Sequence, residues 1–422
     1  MPEELSSADA LDLARYVKPG ALVAWGQACA EPLTLTGALA AQRAQLGGVR
    51  CFAGHSGSSA LRPEYGDCLS FASYSAAGAN GALSRAGVLD IVPSHYSELP
   101  RLLSQGPMRA DVLFLALPPA GPDGTFAVGL GADYLTALIG QVPVVIAEVN
   151  DQIPEIGCDR RLRPEEIDVI VPASQPPAEY PEPPPAATDA AIAGHVAALV
   201  PDGATIQLGI GKLPAAIVRR LRGHRDLGVH SGMITDGVAE LIEAGAVTGA
   251  RKSVDRGLVV TGFLMGTRTL IARAAADACI QLRDTRYTHD HAVLAAQHQL
   301  VAINSAIEVD LTGQANLETA AGRYVGGIGG AADFARGAAA SPGGIPVIAL
   351  PSTAGAASRI VAALSGPVGL ARADAGVIVT EYGAADLRGL SLVQRRERML
   401  AIAHPDHRTA LAAAAASGTE DR

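Results

Sequence analysis

Short apolar runs, separated by stretches with helical spacing, recur along the whole chain and limit the folds that it can adopt. They occupy residues 17–26, 111–117, 142–149, 200–209, 258–262, 301–303, 346–350 and 376–380. Strands that are apolar on both faces need cover on both sides, which helices provide around a parallel sheet. We therefore predict an α/β fold, in which ligands bind beyond the carboxyl ends of the strands.

One turn-and-strand pattern occurs twice in the same register. Gly20 aligns with Gly203 and Gly26 with Gly209, and a helical stretch follows each copy. Between the copies lies a proline-rich stretch, residues 172–185, which favours an extended linker over a helix or an inner strand. We predict two homologous open α/β domains, residues 1–185 and 186–422, with the linker at the end of the first.

Composition argues against several classes of partner. The net charge of −9 over 422 residues disfavours a nucleic-acid partner. The five cysteines form no C-x-x-C pair, which fits a reducing compartment and no structural zinc. The start of the chain is acidic, unlike a signal peptide, and no apolar run approaches the length of a membrane span. We expect a cytoplasmic protein without a metal, a nucleic-acid partner or a membrane anchor.

A glycine-rich loop is the first candidate site. Four of the five residues from 326 to 330 are glycine, after a strand-like run at 305–311 and before a stretch that can open a helix at Asp333. Glycines permit positive φ angles and close approach of a ligand, and exposed N–H groups in such a loop can bind an anion or an oxyanion. A tight turn between core elements is the alternative.

A second glycine turn, Gly209-Ile210-Gly211-Lys212-Leu213-Pro214, lies where a strand is expected to meet a helix. Backbone amides and a helix N-terminus there suit a phosphate or a pantetheine chain, and Lys212 adds positive charge. The spacing is not that of a Walker A motif, since no Ser or Thr follows Lys212. A structural turn is again the alternative.

Two further segments carry reactive side chains. His230, Ser231 and Asp236 invite a triad interpretation, which we reject because Ser231 is not on a G-x-S-x-G elbow. We expect Thr235 or Asp236 to cap a helix over 238–244 instead. Glu381 follows the last apolar run, where it is placed either to touch a ligand or to pair with an arginine such as Arg388.

Taken together, these segments resemble the acetyl-CoA hydrolase/transferase family of class I CoA-transferases, which includes 4-hydroxybutyrate CoA-transferases. The resemblance runs almost from end to end. It is carried by residues 26–32, 91–100, 147–150, 209–211, 303–311, 327–334, 380–383 and 402–405.

The resemblance implies two similar α/β domains of the class I CoA-transferase type, with a CoA thioester held between them, and a homodimer. It also implies coenzyme A as the bound group, acyl-CoA as substrate and a small carboxylate as acceptor. Members use a glutamate in a His-Thr-Glu-Met segment to attack the thioester. The same segment here reads His230-Ser231-Gly232-Met233, so Gly232 fills the place of the nucleophile.

The remaining site residues of the family have matches in this chain. The resemblance implies CoA contacts at Gly209, Ile210, Gly211, Lys212, Leu213, Ile307 and Gly330. The amides of Gly329 and Gly330 would face a thioester oxyanion, and Glu381 matches a second active-site glutamate that can serve as general base.

Without a glutamate at position 232, the covalent route of the family is closed, and three interpretations stay open. The protein hydrolyses acyl-CoA with Glu381 or bound water in place of the covalent step. It transfers CoA by direct attack of the acceptor or through a displaced nucleophile such as Glu31. Or it binds CoA esters without turnover, as a sensor or pseudoenzyme.

Overall fold

The computed structural model describes residues 1–57 and 61–417, which form two compact units. The first contains residues 1–181, 231–239 and 258–290, and the second contains residues 182–230, 240–257 and the chain from 291 onwards. The first break, after Pro181, falls inside the predicted linker, but two later segments return to the first unit. Because the compact units are discontinuous in sequence, they do not test the predicted domains 1–185 and 186–422, which stay a prediction. Residues 418–422 of the second domain lie outside the described residues.

Strands and helices alternate along the chain. Numbered in chain order, the strands are β1 (Glu3–Glu4), β2 (Leu22–Trp25), β3 (Val49–Phe52), β4 (Leu69–Ser73), β5 (Leu89–Ile91), β6 (Val112–Leu117), β7 (Phe126–Ala127), β8 (Val144–Asn150), β9 (Gly157–Cys158), β10 (Arg161–Leu162), β11 (Val169–Ala173), β12 (Thr205–Leu208), β13 (Gly228–Ile234), β14 (Val259–Leu264), β15 (Ile280–Leu282), β16 (Leu300–Ser305), β17 (Glu308–Asp310), β18 (Ala315–Asn316), β19 (Thr319–Ala320), β20 (Arg323–Tyr324), β21 (Ile345–Ala349), β22 (Thr353–Ala354), β23 (Ala357–Ser358), β24 (Ile360–Val361), β25 (Val377–Thr380) and β26 (Gly383–Asp386). The helices are α1 (Leu33–Gln42), α2 (Asn80–Ala86), α3 (Leu99–Ser104), α4 (Leu135–Leu138), α5 (Ala187–Ala197), α6 (Lys212–Arg220), α7 (Asp236–Glu243), α8 (Arg268–Ala276), α9 (Thr285–Thr288), α10 (His291–Ala295), α11 (Ala331–Ala340), α12 (Leu392–Ile402) and α13 (Pro405–Ser417).

The main sheet of the first unit is parallel throughout. Its strand order is β1-β11-β8-β6-β2-β3-β4-β5. Every residue of β2 and β6 is buried, as expected for the middle of a sheet that is covered on both faces. The strands β14, β15 and β9 form a further parallel ladder in this unit.

The second unit repeats this arrangement. The strand order of its main sheet is β26-β25-β21-β16-β12-β13, and within that order only the β25–β26 pair is antiparallel. The strand β12 has β13 on one side and β16, β21 and β25 on the other, as β2 has β3 on one side and β6, β8 and β11 on the other. The predicted α/β class is confirmed, and the shared strand order is what a duplication produces.

The start of the predicted linker needs correction. Pro172 and Ala173 belong to β11, where Pro172 lies opposite Val149 of β8. Proline is tolerated at this point because the neighbour on the other side, β1, pairs only with Val169 and Ile170. Beyond them β11 is an edge strand, on which a missing N–H costs no ladder bond.

The first turn of helix α1 is capped by a side chain from another element of the first unit. Its N-cap residue is Pro32, which offers no side-chain cap. The carboxylate of Glu148, on β8, accepts hydrogen bonds from the N–H groups of Thr34 (2.8 Å) and Leu35 (3.1 Å) instead. A carboxylate at this position satisfies otherwise unpaired helix donors and complements the helix dipole. Glu148 is only 1% exposed, and burial raises its pKa to about 7.

In the described part of the chain, no helix has both the length and the apolar character needed to cross a bilayer.

The pKa of Glu148 predicts how stability depends on pH. A carboxyl group whose folded pKa lies above its unfolded value stabilises the fold fully below pH ~4.5, and this contribution is lost as the pH rises through ~7. At about 1.4 kcal/mol per pKa unit, the free energy of unfolding should fall by up to about 3 kcal/mol over this window. Glu148→Gln should flatten that decline in urea unfolding followed from pH 4.5 to 8. The exposed Glu165→Gln variant serves as control, and an unchanged pH profile in Glu148→Gln would contradict the assignment.

Candidate active site

Most of the predicted site residues follow the carboxyl ends of four neighbouring parallel strands in the second unit. These strands are β12, β16, β21 and β25, and they are adjacent in that order. The turn at Gly209 follows β12, Ile307 follows β16, and Glu381 follows β25. At about 4.8 Å per strand, the ends of β12 and β25 lie roughly 14 Å apart. A ligand that contacts both must therefore be extended.

The turn after β12 has the predicted strand-to-helix form. Gly211 is the N-cap of α6 with φ 120°, a value that side chains rarely adopt, and Lys212 is the first helical residue. Ile210 is 42% exposed and Lys212 is exposed, whereas Leu213 is buried at 6%. The turn thus offers Ile210, Gly211 and Lys212 to a ligand, and the Leu213 side chain belongs to the core.

A buried amide pair fixes the strand ends next to this turn. The Gln207 side chain donates to the Asn304 side-chain oxygen (3.3 Å), and Asn304 donates back to Gln207 (3.1 Å). The N–H of Gly209 donates to the carbonyl of Ile303 at 2.9 Å. Because both amides are buried and paired, the ends of β12 and β16 are held in one register.

The glycine-rich loop leads into α11. Its Gly330 is the N-cap of that helix, and Gly329 has a φ of 51°. A Cβ atom on Gly326 would lie 2.3 Å from the carbonyl oxygen of Leu317, so this position has room for glycine only. Gly326 and Gly329 are therefore required by the turn itself, and Gly330 begins a helix whose N-terminus favours negative charge. Both the turn and the anion-binding interpretations fit this geometry.

Glu381 is held by a serine that the sequence did not indicate. Ser352, which is fully buried, donates its backbone N–H to one carboxylate oxygen of Glu381 (2.8 Å) and its hydroxyl to the other (2.6 Å). Arg388 instead pairs with Asp386 at 2.7 Å. The expected alternative of a Glu381–Arg388 ion pair is therefore wrong, because the neighbouring strand presents a nearer pair of donors.

The segment after His230 does not form a triad. The carboxylate of Asp236 accepts from the N–H and the hydroxyl of Thr267 and from the N–H of Leu270, in the first turn of α8. Asp236 therefore caps α8 and not the helix that it begins, so the Asp236 half of the prediction for Thr235 or Asp236 is wrong. Tertiary packing of two segments of the first unit decides this, and the Asp236 oxygens are engaged with backbone donors.

Gly232 lies in β13, in the part of that strand that belongs to the first unit. A Cβ atom on Gly262 would lie 2.6 Å from the Gly232 carbonyl oxygen and 3.5 Å from the Cβ of Asp133. The nearby Asp133 is fully buried, accepts from Gln27 (3.0 Å) and from the N–H of Leu135 (3.2 Å), and has its pKa raised to about 7 by burial. The Asp133 carboxyl is thus engaged with neighbouring donors in the core.

Glu31, the predicted substitute nucleophile, lies in the same unit as Gly232. It is 2% exposed and accepts a hydrogen bond from the hydroxyl of Ser56 at 2.9 Å. Within residues 1–57 and 61–417, no group of three or more His, Cys, Asp or Glu side chains is arranged to hold a metal ion. All five cysteines are free thiols.

Comparison with known proteins identifies the family. The N-terminal domain of the acetyl-CoA hydrolase/transferase family matches residues 3–178, and its C-terminal domain matches residues 266–415. The chain belongs to the acetyl-CoA hydrolase/transferase family. The predicted resemblance is thereby confirmed.

Relatives of this acetyl-CoA hydrolase/transferase family member include curated CoA-transferases. It is 36% identical over 329 residues to the 4-hydroxybutyrate coenzyme A transferase of Clostridium kluyveri, covering 77% of each chain. It is 32% identical over 414 residues to the succinyl-CoA:cyclohexane-1-carboxylate CoA transferase of Geobacter metallireducens, covering 96% of this chain and 94% of the relative. Its fold matches the crystal structure of RipA from Yersinia pestis with a TM-score of 0.91 and 33% identity, over 98% of this chain and 97% of RipA.

Two residues of the carboxyl edge were missed from the sequence. Ser352 follows the predicted strand 346–350, and inspection of the residues just beyond that strand would have found it. Arg359 lies in a later loop, and no sequence signal links it to the strand ends. Its placement depends on β24, which pairs with β17.

Proposed function

We propose that this protein acts on acyl-CoA thioesters, as a hydrolase or a CoA-transferase, without the glutamyl-CoA intermediate of its family. The observation that carries the proposal is the carboxyl edge of the second unit, where Gly209–Lys212, Ile307 and Glu381 follow three of four neighbouring parallel strands. An extended ligand such as the pantetheine arm of CoA suits an edge that is roughly 14 Å long. The curated relatives supply the substrate class, since their names describe CoA transfer.

Glu381 is the residue best placed to act as general base. Its carboxylate is held at both oxygens by Ser352, so it has a fixed orientation at the end of β25. In hydrolysis, Glu381 would take a proton from water while the water oxygen attacks the thioester carbonyl carbon. The C–S bond then breaks, and the CoA thiolate leaves and is protonated. The amides at Gly329 and Gly330 would donate to the carbonyl oxygen as it gains charge.

Transfer is the closely related alternative. An acceptor carboxylate would attack the thioester carbonyl, releasing CoA thiolate and leaving a mixed anhydride. The thiolate would then attack the carbonyl carbon that came from the acceptor, so that CoA changes partner. A displaced nucleophile such as Glu31 would instead form its own anhydride first, and its position in the same unit as Gly232 keeps this route open.

A non-catalytic role is the second candidate function. It is favoured by the glycine at position 232, which by the resemblance to the family stands in the place of the nucleophile. A protein of this kind would bind CoA esters as a sensor.

An assay separates these functions. Purified protein is incubated with a panel of acyl-CoAs, with and without acetate, while free thiol and new CoA esters are followed. We expect turnover in at least one arm. Thiol release without acceptor identifies a hydrolase, and acceptor-dependent exchange identifies a transferase. CoA binding with neither signal would overturn the catalytic proposal in favour of the sensor.

Gly232→Glu should restore a covalent intermediate. Gly232 lies within a strand, so its backbone conformation is open to a side chain. With acyl-CoA present, we expect an adduct on this residue that borohydride or hydroxylamine traps and that peptide mass spectrometry locates. Gly232→Gln has the same size without the carboxylate and should give no adduct. A folded, CoA-binding Gly232→Glu variant without an adduct would mean that residue 232 does not occupy the nucleophile's place.

Glu381→Gln should slow turnover by about tenfold or more, because the amide cannot accept the proton. The reference variant is Asp386→Asn, which makes the same chemical change at an exposed residue of β26. Steady-state kcat is the measurement. An undiminished kcat in Glu381→Gln would remove this residue from the mechanism.

A further inference from the structure

Arg359 occupies a fixed position in the second unit, beside the residues that hold Glu381. It lies between β23 and β24. Its backbone N–H donates to the carbonyl of Ser352 (2.8 Å), and its own carbonyl accepts from the N–H of Val309 (2.8 Å). Ser352 in turn holds Glu381. The Arg359 backbone is therefore tied to two of the loops that follow the carboxyl ends of the sheet.

The side chain of Arg359 is partly buried and points back to the predicted CoA site. Its Nε donates to the carbonyl of Ile307 at 2.7 Å. Among the residues that the structure describes, the guanidinium makes no further hydrogen bond and no ion pair. Other arginines of this unit, such as Arg336 and Arg388, pair with an aspartate.

The acidic residue that acts electrostatically on Arg359 does not account for this arginine. Glu308 interacts with Arg359 electrostatically, yet burial outweighs that attraction and lowers the pKa of the guanidinium. One oxygen of Glu308 accepts from the Asn316 amide, from the N–H and hydroxyl of Ser365 and from the N–H of Gly366. This oxygen of Glu308 is thus committed to Asn316 and to the loop around Ser365, and the guanidinium of Arg359 keeps two nitrogen atoms, Nη1 and Nη2, for another acceptor.

We infer that Arg359 binds an oxyanion of the CoA thioester, either a phosphate of its nucleotide or a carboxylate on its acyl group. This inference rests on the proposed function. Phosphate and carboxylate share the geometry that a guanidinium fork recognises with two parallel hydrogen bonds. The position of Arg359 between the Ile307 carbonyl and the loop of Ser352 places that fork along the edge to which the thioester is assigned.

Binding of charged and uncharged ligands tests the inference. Calorimetry would compare wild-type protein and Arg359→Gln with CoA, dephospho-CoA, pantetheine, butyryl-CoA and succinyl-CoA. We expect Arg359→Gln to weaken the affinity for at least one anionic ligand by about tenfold to a hundredfold, with no loss for pantetheine. Arg388→Gln removes the same charge at an exposed ion pair and should leave every affinity unchanged.

The pattern of losses identifies the anion. A loss for CoA that disappears with dephospho-CoA assigns the 3′-phosphate, and a loss that persists with dephospho-CoA assigns the pyrophosphate. A loss for succinyl-CoA that is absent for butyryl-CoA assigns a carboxylate on the acyl group. Each of these results supports the inference.

Two results would overturn it. The first is an equal loss for all ligands including pantetheine, which would indicate a structural role, and the second is no loss for any ligand. Should Arg359→Gln fail to fold, Arg359→Lys keeps the charge without the fork, and at least a threefold loss for the same anionic ligands is expected. If wild-type protein bound no CoA compound, the proposed function itself would be refuted. Failure of the proposed function is therefore distinguishable from failure of the inference about Arg359.

Discussion

Parallel pairing is the constraint on which the rest of this structure depends. Every strand of the first main sheet runs in one direction, and in the main sheet of the second unit only β26 runs against its neighbour. Strands that run the same way end at the same edge, so loops that are far apart in sequence are gathered there. Residues 209, 307, 352 and 381 reach one edge for this reason alone. The pairing of the strands therefore decides which residues lie at this edge, and the side-chain contacts there follow from that pairing.

The carboxyl edge of the second unit has rigid support at two places. Ser352 fixes Glu381, and the Gln207–Asn304 amide pair fixes the strand ends beside Gly209. Such support is typical of sites whose geometry must be held in advance. Under the proposed function, Gly232 of the first unit stands where the family places its nucleophile, so residue 232 has no side chain to form the covalent intermediate. On this proposal, activation of water or of an acceptor is favoured over a covalent route through residue 232.

Polar side chains from other elements accept hydrogen bonds at the starts of two helices. The helix α1 begins after Pro32, which cannot cap it, and Glu148 from β8 supplies the cap. Asp236 likewise caps α8, not the helix that it opens. In both cases a carboxyl group from another element accepts hydrogen bonds from N–H groups at the start of a helix, because buried N–H groups without a partner cost free energy.

The sequence by itself determined the α/β class, the strands at the eight apolar runs, the strand-to-helix turn at Gly209 and the family. Apolar runs, glycines and proline act over a few residues, and so they can be interpreted locally. It did not place Pro172 in β11, since an edge position depends on where β1 ends. Nor did it pair Glu381 with Ser352, or bring Arg359 to the carbonyl of Ile307. The Glu381–Ser352 contact joins residues that are 29 positions apart in sequence, and the Arg359–Ile307 contact joins residues that are 52 positions apart. Only the tertiary structure decided them, because strand order and loop packing choose which distant donors and acceptors meet.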